Sequence, residues 1–261
     1  MQIDKGEPPK MYCSWNISTI PQYRQAHPWF DFTLTVRNVF GTTVQTLPFD
    51  HFKNVRPNAP EKLTVIATTP HSILLSWKIP SSLNIFPPGV HHRILYQCQH
   101  YEKKWQFGGL ITNTSEKAPV FLINNLKFAH ALCDIRVSIR SAEATEERMW
   151  SENATVTART ESEIPASPPE TTYGSFEIVP HDLTRQVYVY WKQIKEEQKN
   201  GQNFSYVAEI EGFPDIRPVE LTRAYAKFEN LENREYIVHI RSKNEKGLSL
   251  DRSSVSIPKE R

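Results

Sequence analysis

Long apolar runs, glycine-rich loops and catalytic motifs are all missing from this 261-residue sequence. No run of about 18 apolar residues occurs, so no segment reads as a membrane-spanning helix. The nine glycines form no phosphate loop, and neither a nucleophile elbow nor a zinc-protease helix is present. The adjacent His91 and His92 have no cysteine or carboxylate at ligand spacing. We therefore predict no enzyme activity, no metal site and no cofactor.

A strong charge of either sign is also lacking. The sequence has 31 Lys and Arg residues against 29 Asp and Glu residues, a formal net charge of +2. Such a balance gives no reason to expect nucleic acid or a polyanion as a partner. Hydrophobic residues make up 39% of the sequence, which suits globular domains, and the 19 prolines favour linkers and edge strands.

Four glycosylation acceptor triplets indicate an extracellular protein. Asn16, Asn113, Asn153 and Asn203 each begin an Asn-x-Ser/Thr triplet, and we expect the last three in loops or at strand ends. Residues 1–7 contain no apolar segment and do not resemble a secretory signal. We therefore interpret the sequence as a fragment, or an incomplete gene model, of a longer secreted or membrane-anchored protein at the cell surface.

One pattern of alternating apolar and polar residues, followed by a turn, occurs three times. It covers residues 30–41, 135–143 and 236–247. Period-two alternation is typical of a half-buried strand that leads into a hairpin. The repeats are roughly a hundred residues apart, which is the size of one immunoglobulin-like β-sandwich. The sequence therefore predicts an all-β chain of tandem sandwiches.

Two tryptophans support this division. Trp77 and Trp191 lie on similar predicted strands, and a proline-rich stretch precedes each of them, at residues 55–60 and 164–169. Proline cannot donate to a β-ladder and stiffens the chain, so both stretches are typical of linkers. With these features the chain resembles tandem fibronectin type III domains, in which a core tryptophan lies on the second strand.

We expect three modules within this resemblance. Residues 1–56 form an incomplete N-terminal module, because only positions 16–29 separate its early strand from its last two. Residues 57–162 and 163–261 each form a complete fibronectin type III module.

Two short motifs resemble class I cytokine receptors of the interleukin-6 signal-transducer type. Cys13-Ser14-Trp15 resembles the Cys-x-Trp signature of their N-terminal module, where the cysteine is disulfide-bonded. Trp150-Ser151 resembles the first half of their Trp-Ser-x-Trp-Ser box. The resemblance implies that the box tryptophan stacks between outward arginines. If Ile135, Val137 and Ile139 face inward, Arg136 and Arg140 face outward and would hold Trp150. The alternative is a solvated strand face beside an unrelated Trp-Ser pair.

The same resemblance implies a ligand site at the elbow between the first two modules. One matching loop contains Leu83, Ile85 and Phe86, which could be exposed apolar anchors or could fold back on their own core. The other loop brings the charges of Glu146, Glu147 and Arg148, which would steer and select a partner.

Cys98 ends one predicted strand of the middle module, and Cys133 begins a neighbouring antiparallel one. Both lie at inward positions, so they form either a disulfide or two buried thiols. Cys13 would then be left without a partner in this sequence.

The resemblance implies a helical cytokine as ligand, a receptor oligomer, and a Janus-type kinase that acts through a cytoplasmic part. An adhesion or receptor-phosphatase ectodomain and a secreted decoy receptor are the alternatives, because they share the same fold.

Overall fold

The computed structural model describes residues 15–114 and 116–260. Residues 15–56 contain the antiparallel hairpin of β1 (Trp29–Asn38) and β2 (Gly41–Asp50), preceded by a 3-10 turn (Ile17–Thr19) and followed by the one-turn helix α1 (His51–Asn54). One hairpin face carries Phe30, Phe32, Leu34, Val36, Leu47 and Phe49, and the other face is rich in threonine. Leu34, Val36 and Leu47 are about half exposed, so this apolar face is only partly covered by described residues.

The middle module is a sandwich of two antiparallel sheets. Its elements are β3 (Glu61–Thr69), β4 (Ser72–Lys78), β5 (Val90–Cys98), β6 (Gln106–Thr114), β7 (Val120–Ile123), β8 (Leu132–Ser141) and β9 (Ala154–Arg159), with 3-10 turns at Ser81–Leu83 and Glu147–Met149. One sheet has the strand order β3-β4-β7 and the other β6-β5-β8-β9. Ile135, Val137 and Ile139 are at most 1% exposed, which confirms their predicted inward direction.

The third module has the same two-sheet plan. Its elements are β10 (Phe176–His181), β11 (Thr184–Tyr190), β12 (Ser205–Ile210), β13 (Glu220–Leu221), β14 (Tyr225–Leu231), β15 (Tyr236–Asn244), β16 (Gly247–Leu248) and β17 (Ser253–Ile257), with a 3-10 turn at Glu196–Gln198. The strand order is β10-β11-β14-β13 in one sheet, while β15 pairs with β12, β16 and β17 in the other. The predicted fold class, all-β with tandem fibronectin type III-like sandwiches, is confirmed.

The core of the middle module contains a buried polar pair. The Nε1–H of Trp77 donates to Nδ1 of His92 across 2.9 Å, and the His92 side chain is fully buried. Burial, with a smaller effect from His91, lowers the pKa of His92 to about 4. In the folded protein His92 is therefore neutral at pH 7, with Nδ1 as the hydrogen-bond acceptor.

This pair predicts acid sensitivity of the middle module. The unfolded histidine takes up a proton near pH 6.5, but the folded one does so only near pH 4. The unfolded state therefore binds more protons in this window, and the free energy of unfolding should fall by about 3 kcal/mol as the pH drops through it. Amide hydrogen exchange of β5 and β8 measures this change.

His92→Asn is the matched control, because asparagine keeps an acceptor near the position of Nδ1 but does not titrate. Its exchange rates should depend less on pH between 6.5 and 4. An unchanged pH dependence in the variant would contradict the assignment.

Candidate functional site

The Trp-Ser segment is hydrogen-bonded along the end of β8. The backbone N–H of Ser151 donates to the carbonyl of Ile139 across 2.8 Å, and the Ser151 hydroxyl accepts from the N–H of Ile139 at 3.0 Å. The same hydroxyl donates to the carbonyl of Glu152 at 2.7 Å. Ser151 precedes β9, which begins at Ala154, so these two bonds to Ile139 attach it to β8 ahead of the regular β8–β9 ladder. These bonds fix the backbone on which Trp150 sits.

Trp150 lies between two arginines on the outer face of the sheet. The guanidinium carbon of Arg93 is 4.4 Å from the indole ring centre, and that of Arg140 is 4.7 Å from it. The Trp150 side chain is only 7% exposed. Cation–π contacts contribute roughly 0.5–1 kcal/mol each at exposed sites and about 2 kcal/mol when desolvated. The Arg93–Trp150–Arg140 stack therefore joins β5, β8 and the Trp-Ser segment.

The structure corrects one member of this stack. Arg136 was expected beside Trp150, but it lies over Trp105, with 3.8 Å between its guanidinium carbon and the ring centre. Arg136 and Arg140 are four residues apart on β8, or about 13 Å along the strand, which is too far for both to hold one ring. Arg93 takes the place because it pairs directly with Ser138, the residue midway between them.

The charged ends of the stack hold the loop between β8 and β9. Arg93 pairs with Glu147, and this bond holds the pKa of the Glu147 carboxyl below its usual value. Arg140 donates to the carbonyl of Thr145 at 2.9 Å, and Arg148 pairs with Glu146. The predicted ligand-binding charges are thus all paired, Glu147 with Arg93 of β5 and Glu146 with Arg148 within the loop, which presents them in a fixed arrangement.

The linker from the hairpin is bonded to this same segment. Nε of Arg56 donates to the carbonyl of Trp150 across 2.8 Å, and its Nη2 pairs with the carboxylate of Glu152. The hydroxyl of Ser141 donates to the carbonyl of Phe52. We call this set of contacts the linker seat. It consists of the bonds of Arg56 to Trp150 and Glu152 and the bond of Ser141 to Phe52.

An aromatic cluster closes the other side of the elbow. The ring of His51 lies 5.3 to 5.6 Å from the rings of Tyr23, Phe30, Phe52 and Phe86. Its Nδ1–H donates to the carbonyl of His27, and its Nε2 accepts from the Tyr23 hydroxyl, both at 3.0 Å. Burial lowers the pKa of His51 and favours this neutral form. The cluster joins the hairpin, α1 and the middle module.

The apolar anchors predicted in the loop after β4 are corrected by this packing. Leu83 and Phe86 are 8% and 4% exposed, and they form a core cluster with Ile79, Val90 and Ile139, against which Phe52 and Val55 pack. They cannot be exposed anchors, because both side chains are buried and His51 and Phe52 of α1 pack against Phe86. Ile85 is 68% exposed and is the only one of the three that reaches the surface.

A groove runs between the hairpin and the loops of the middle module. Its volume is about 1030 Å³, and its lining includes Trp15, Phe32, Leu47, Arg56 and Met149. Trp15 stacks on Phe32 with 4.3 Å between ring centres. Cys13 of the Cys-x-Trp motif lies outside the described residues.

Cys98 and Cys133 form a disulfide, and they are directly paired residues of β5 and β8.

The predicted glycosylation acceptors Asn16, Asn153 and Asn203 are exposed. Asn113 lies on β6, and its side chain is outside the described part of the structure. Glycosylation at these four positions stays a prediction.

Within residues 15–114 and 116–260, no group of three or more histidine, cysteine or acidic side chains could hold a metal ion. No helix in this part of the chain is long and apolar enough to cross a bilayer.

Comparison with solved structures finds a weak likeness. The crystal structure of the chicken CNTN1 FN1–FN3 domains is similar with a TM-score of 0.47 and 15% sequence identity, over 78% of this chain and 67% of that one. At this level of similarity, the assignment of the fold rests on the sheets described above. No family model matches the chain.

The comparison with curated proteins is more specific. The chain is 26% identical over 250 residues to a protein named "Cytokine receptor" from Drosophila melanogaster. The match covers 92% of this chain but only 19% of the fly protein. The chain is therefore similar to part of a protein named as a cytokine receptor, and it spans about a fifth of the length of that relative.

Sequence reasoning missed Arg56, Arg93 and Trp105. Arg93 could have been found from strand pairing, because it lies at outward parity on the strand next to β8. Nothing in the sequence around Arg56 indicated that its side chain reaches residues about a hundred positions away.

The stack predicts that Trp150→Ala strongly destabilises the middle module. Removing a buried tryptophan costs about 3–5 kcal/mol, and here two arginines also lose their ring. Folding yield and denaturant unfolding measure the loss. Trp105→Ala is the control, because Trp105 is less buried and contacts one arginine; it should cost clearly less. Equal effects of the two variants would argue against the three-membered stack.

The linker seat predicts a different result for Arg56→Ala. This variant removes two contacts between the linker and the Trp-Ser segment, so the elbow should become more variable while the middle module keeps its stability. Residual dipolar couplings of the hairpin and the middle module would measure the spread of their relative orientations. Arg37→Ala is the control, since Arg37 is an arginine of the hairpin whose side chain donates to Thr42 of the same hairpin. An unchanged spread in Arg56→Ala would exclude its positioning role.

Proposed function

We propose that this chain is the extracellular ligand-binding part of a cell-surface cytokine receptor and that it is not an enzyme. The observation that carries the proposal is the linker seat. It fixes the angle between the hairpin and the middle module through the same Trp-Ser segment that the arginine stack holds. A receptor that recognises a ligand across two modules needs such a fixed elbow, because a preorganised site loses less entropy on binding.

The proposed ligand is a helical cytokine that binds the loops at this elbow. Ile85 offers an exposed apolar side chain, and Glu146, Glu147 and Arg148 offer charges on the neighbouring loop. Leu83 and Phe86 support the loop from inside rather than contacting the ligand. The apolar contact would contribute affinity, while the charges would select the partner and speed its approach.

The more specific part of the proposal, the type of receptor, rests on the two sequence motifs Cys13-Ser14-Trp15 and Trp150-Ser151. We propose a receptor of the interleukin-6 signal-transducer type, similar to the invertebrate Domeless receptor, that forms oligomers and feeds JAK–STAT signalling. A Janus-type kinase would bind a cytoplasmic part outside this sequence. The proposed modules are residues 1–56, 57–162 and 163–261. The similarity to the fly protein named a cytokine receptor supports this proposal.

An adhesion or receptor-phosphatase ectodomain would share the sandwiches, but it has no functional need for a linker bonded to an arginine–tryptophan stack. A secreted decoy receptor would share every feature described here. It would differ in signalling and not in ligand binding.

The proposal predicts direct binding of a helical cytokine. Purified secreted four-helix proteins from the same organism would be passed over the immobilised chain, with binding followed by surface plasmon resonance. For the protein that binds, Ile85→Ala should weaken affinity at least several-fold, mainly through faster dissociation. Arg148→Glu should change the association rate and its dependence on salt.

Ile66→Ala is the control, because Ile66 is similarly exposed but lies on β3, outside the elbow loops. It should leave binding unchanged. Failure of every four-helix protein to bind, or an equal effect of Ile66→Ala and Ile85→Ala, would overturn the proposed ligand site.

A further inference from the structure

The linker between the middle and third modules is hydrogen-bonded to both of them. On one side, the N–H of Glu161 donates to the carbonyl of Thr69 across 3.1 Å. On the other, the N–H of Glu163 donates to the carbonyl of Asn200 at 2.9 Å, and the Asn244 amide donates to the carbonyl of Glu163 at 2.7 Å. The Glu163 backbone is therefore held by the third module. A residue of the middle module that contacts the Glu163 side chain connects the two modules.

That contact is made by His71, which lies in the turn between β3 and β4. Its Nδ1 is 2.8 Å from the carbonyl oxygen of Leu126, and its Nε2 is 3.0 Å from a carboxylate oxygen of Glu163. A carbonyl and an ionised carboxylate can only accept hydrogen bonds, and a neutral imidazole has one N–H. Both contacts are complete only when His71 carries two ring protons and a positive charge.

We propose that His71 and Glu163 form a proton-dependent clamp that stiffens the junction between the middle and third modules as the pH falls. With His71 protonated, Nε2–H donates to the carboxylate and the pair is charge-assisted. With His71 neutral and Nδ1–H held by Leu126, the lone pair of Nε2 faces the carboxylate and the contact is lost. Histidine is the side chain that ordinarily changes charge between pH 5 and 8.

The neighbouring ionisable groups do not form a second clamp of this kind. Nδ1 of His130 lies 3.0 Å from the hydroxyl oxygen of Ser162, and that hydroxyl donates to the carboxylate of Glu245. A neutral ring with its proton on Nδ1 can donate to the serine oxygen. Burial and the charge of Arg159 lower the pKa of His130, while Glu245 acts in the opposite direction. His130 therefore keeps its partner without protonation, and the pH response of the junction falls on His71.

The size of the effect follows from exposure. The side chains of His71 and Glu163 are 48% and 47% exposed, so solvent screens their attraction. Exposed ion pairs of this kind change an equilibrium by about two- to five-fold. The clamp therefore shifts the population of junctions that keep the His71–Glu163 contact and does not lock one state.

The test uses the full chain at pH 5.5 and pH 8.0. Residual dipolar couplings measure the spread of orientations between the middle and third modules, and two-bond nitrogen–proton spectra report the protonation of the His71 ring. In the sample whose spectra show a doubly protonated His71 ring, the spread of orientations should be narrow. In the sample whose spectra show a neutral ring, the population without the His71–Glu163 contact should be about two- to five-fold larger.

Two variants separate the clamp from other acid effects. In Glu163→Gln, the amide can donate to neutral Nε2, so the spread should no longer depend on pH. His130→Gln should keep the full pH response. The proposal is overturned if Glu163→Gln responds to pH like the wild type, if His130→Gln abolishes the response, or if His71 is protonated while the spread stays unchanged.

Discussion

The stacking of Trp150 between Arg93 and Arg140 is the interaction on which the elbow depends. Both guanidinium groups come from neighbouring strands of one sheet, so their positions are set by the core beneath them. Once the indole ring is held, the carbonyl of Trp150 and the carboxylate of Glu152 point at the linker and receive Arg56. The Arg93–Trp150–Arg140 stack on the outer face of the middle module thus sets the direction in which the preceding linker joins this module. The loop of Glu146 and Glu147 is fixed by the same arginines.

The two junctions of the chain use different chemistry for the same task. At the first, a neutral, buried His51 sits among aromatic rings and accepts a hydrogen bond from Tyr23. At the second, a half-exposed His71 faces the carboxylate of Glu163. Protonation opposes the packing of the first ring and completes the bonds of the second. In our proposal, protonation therefore loosens the first junction and tightens the second.

The sequence was sufficient for the features that follow from local periodicity. Alternation gave the inward row of Ile135, Val137 and Ile139, and therefore the outward direction of Arg140. It could not give Arg93 as the second partner of Trp150, because that depends on the register between β5 and β8. It also could not decide whether Leu83 and Phe86 face solvent, since their burial comes from Phe52 and His51 on a separate segment of the chain. Module boundaries and the identity of the ligand stay predictions.

The central claim is that the stack holds the linker through Trp150, and hydrogen exchange in Arg140→Gln tests it directly. The Arg140 side chain stacks on the Trp150 ring and donates to its own loop, so this substitution weakens the stack without removing a group of the linker seat. The amide of Val55, which donates to the carbonyl of His51, should exchange faster in the variant, while amides of β12 and β15 keep their rates. Unchanged protection of Val55 would contradict the claim, because the linker would then be held independently of the stack.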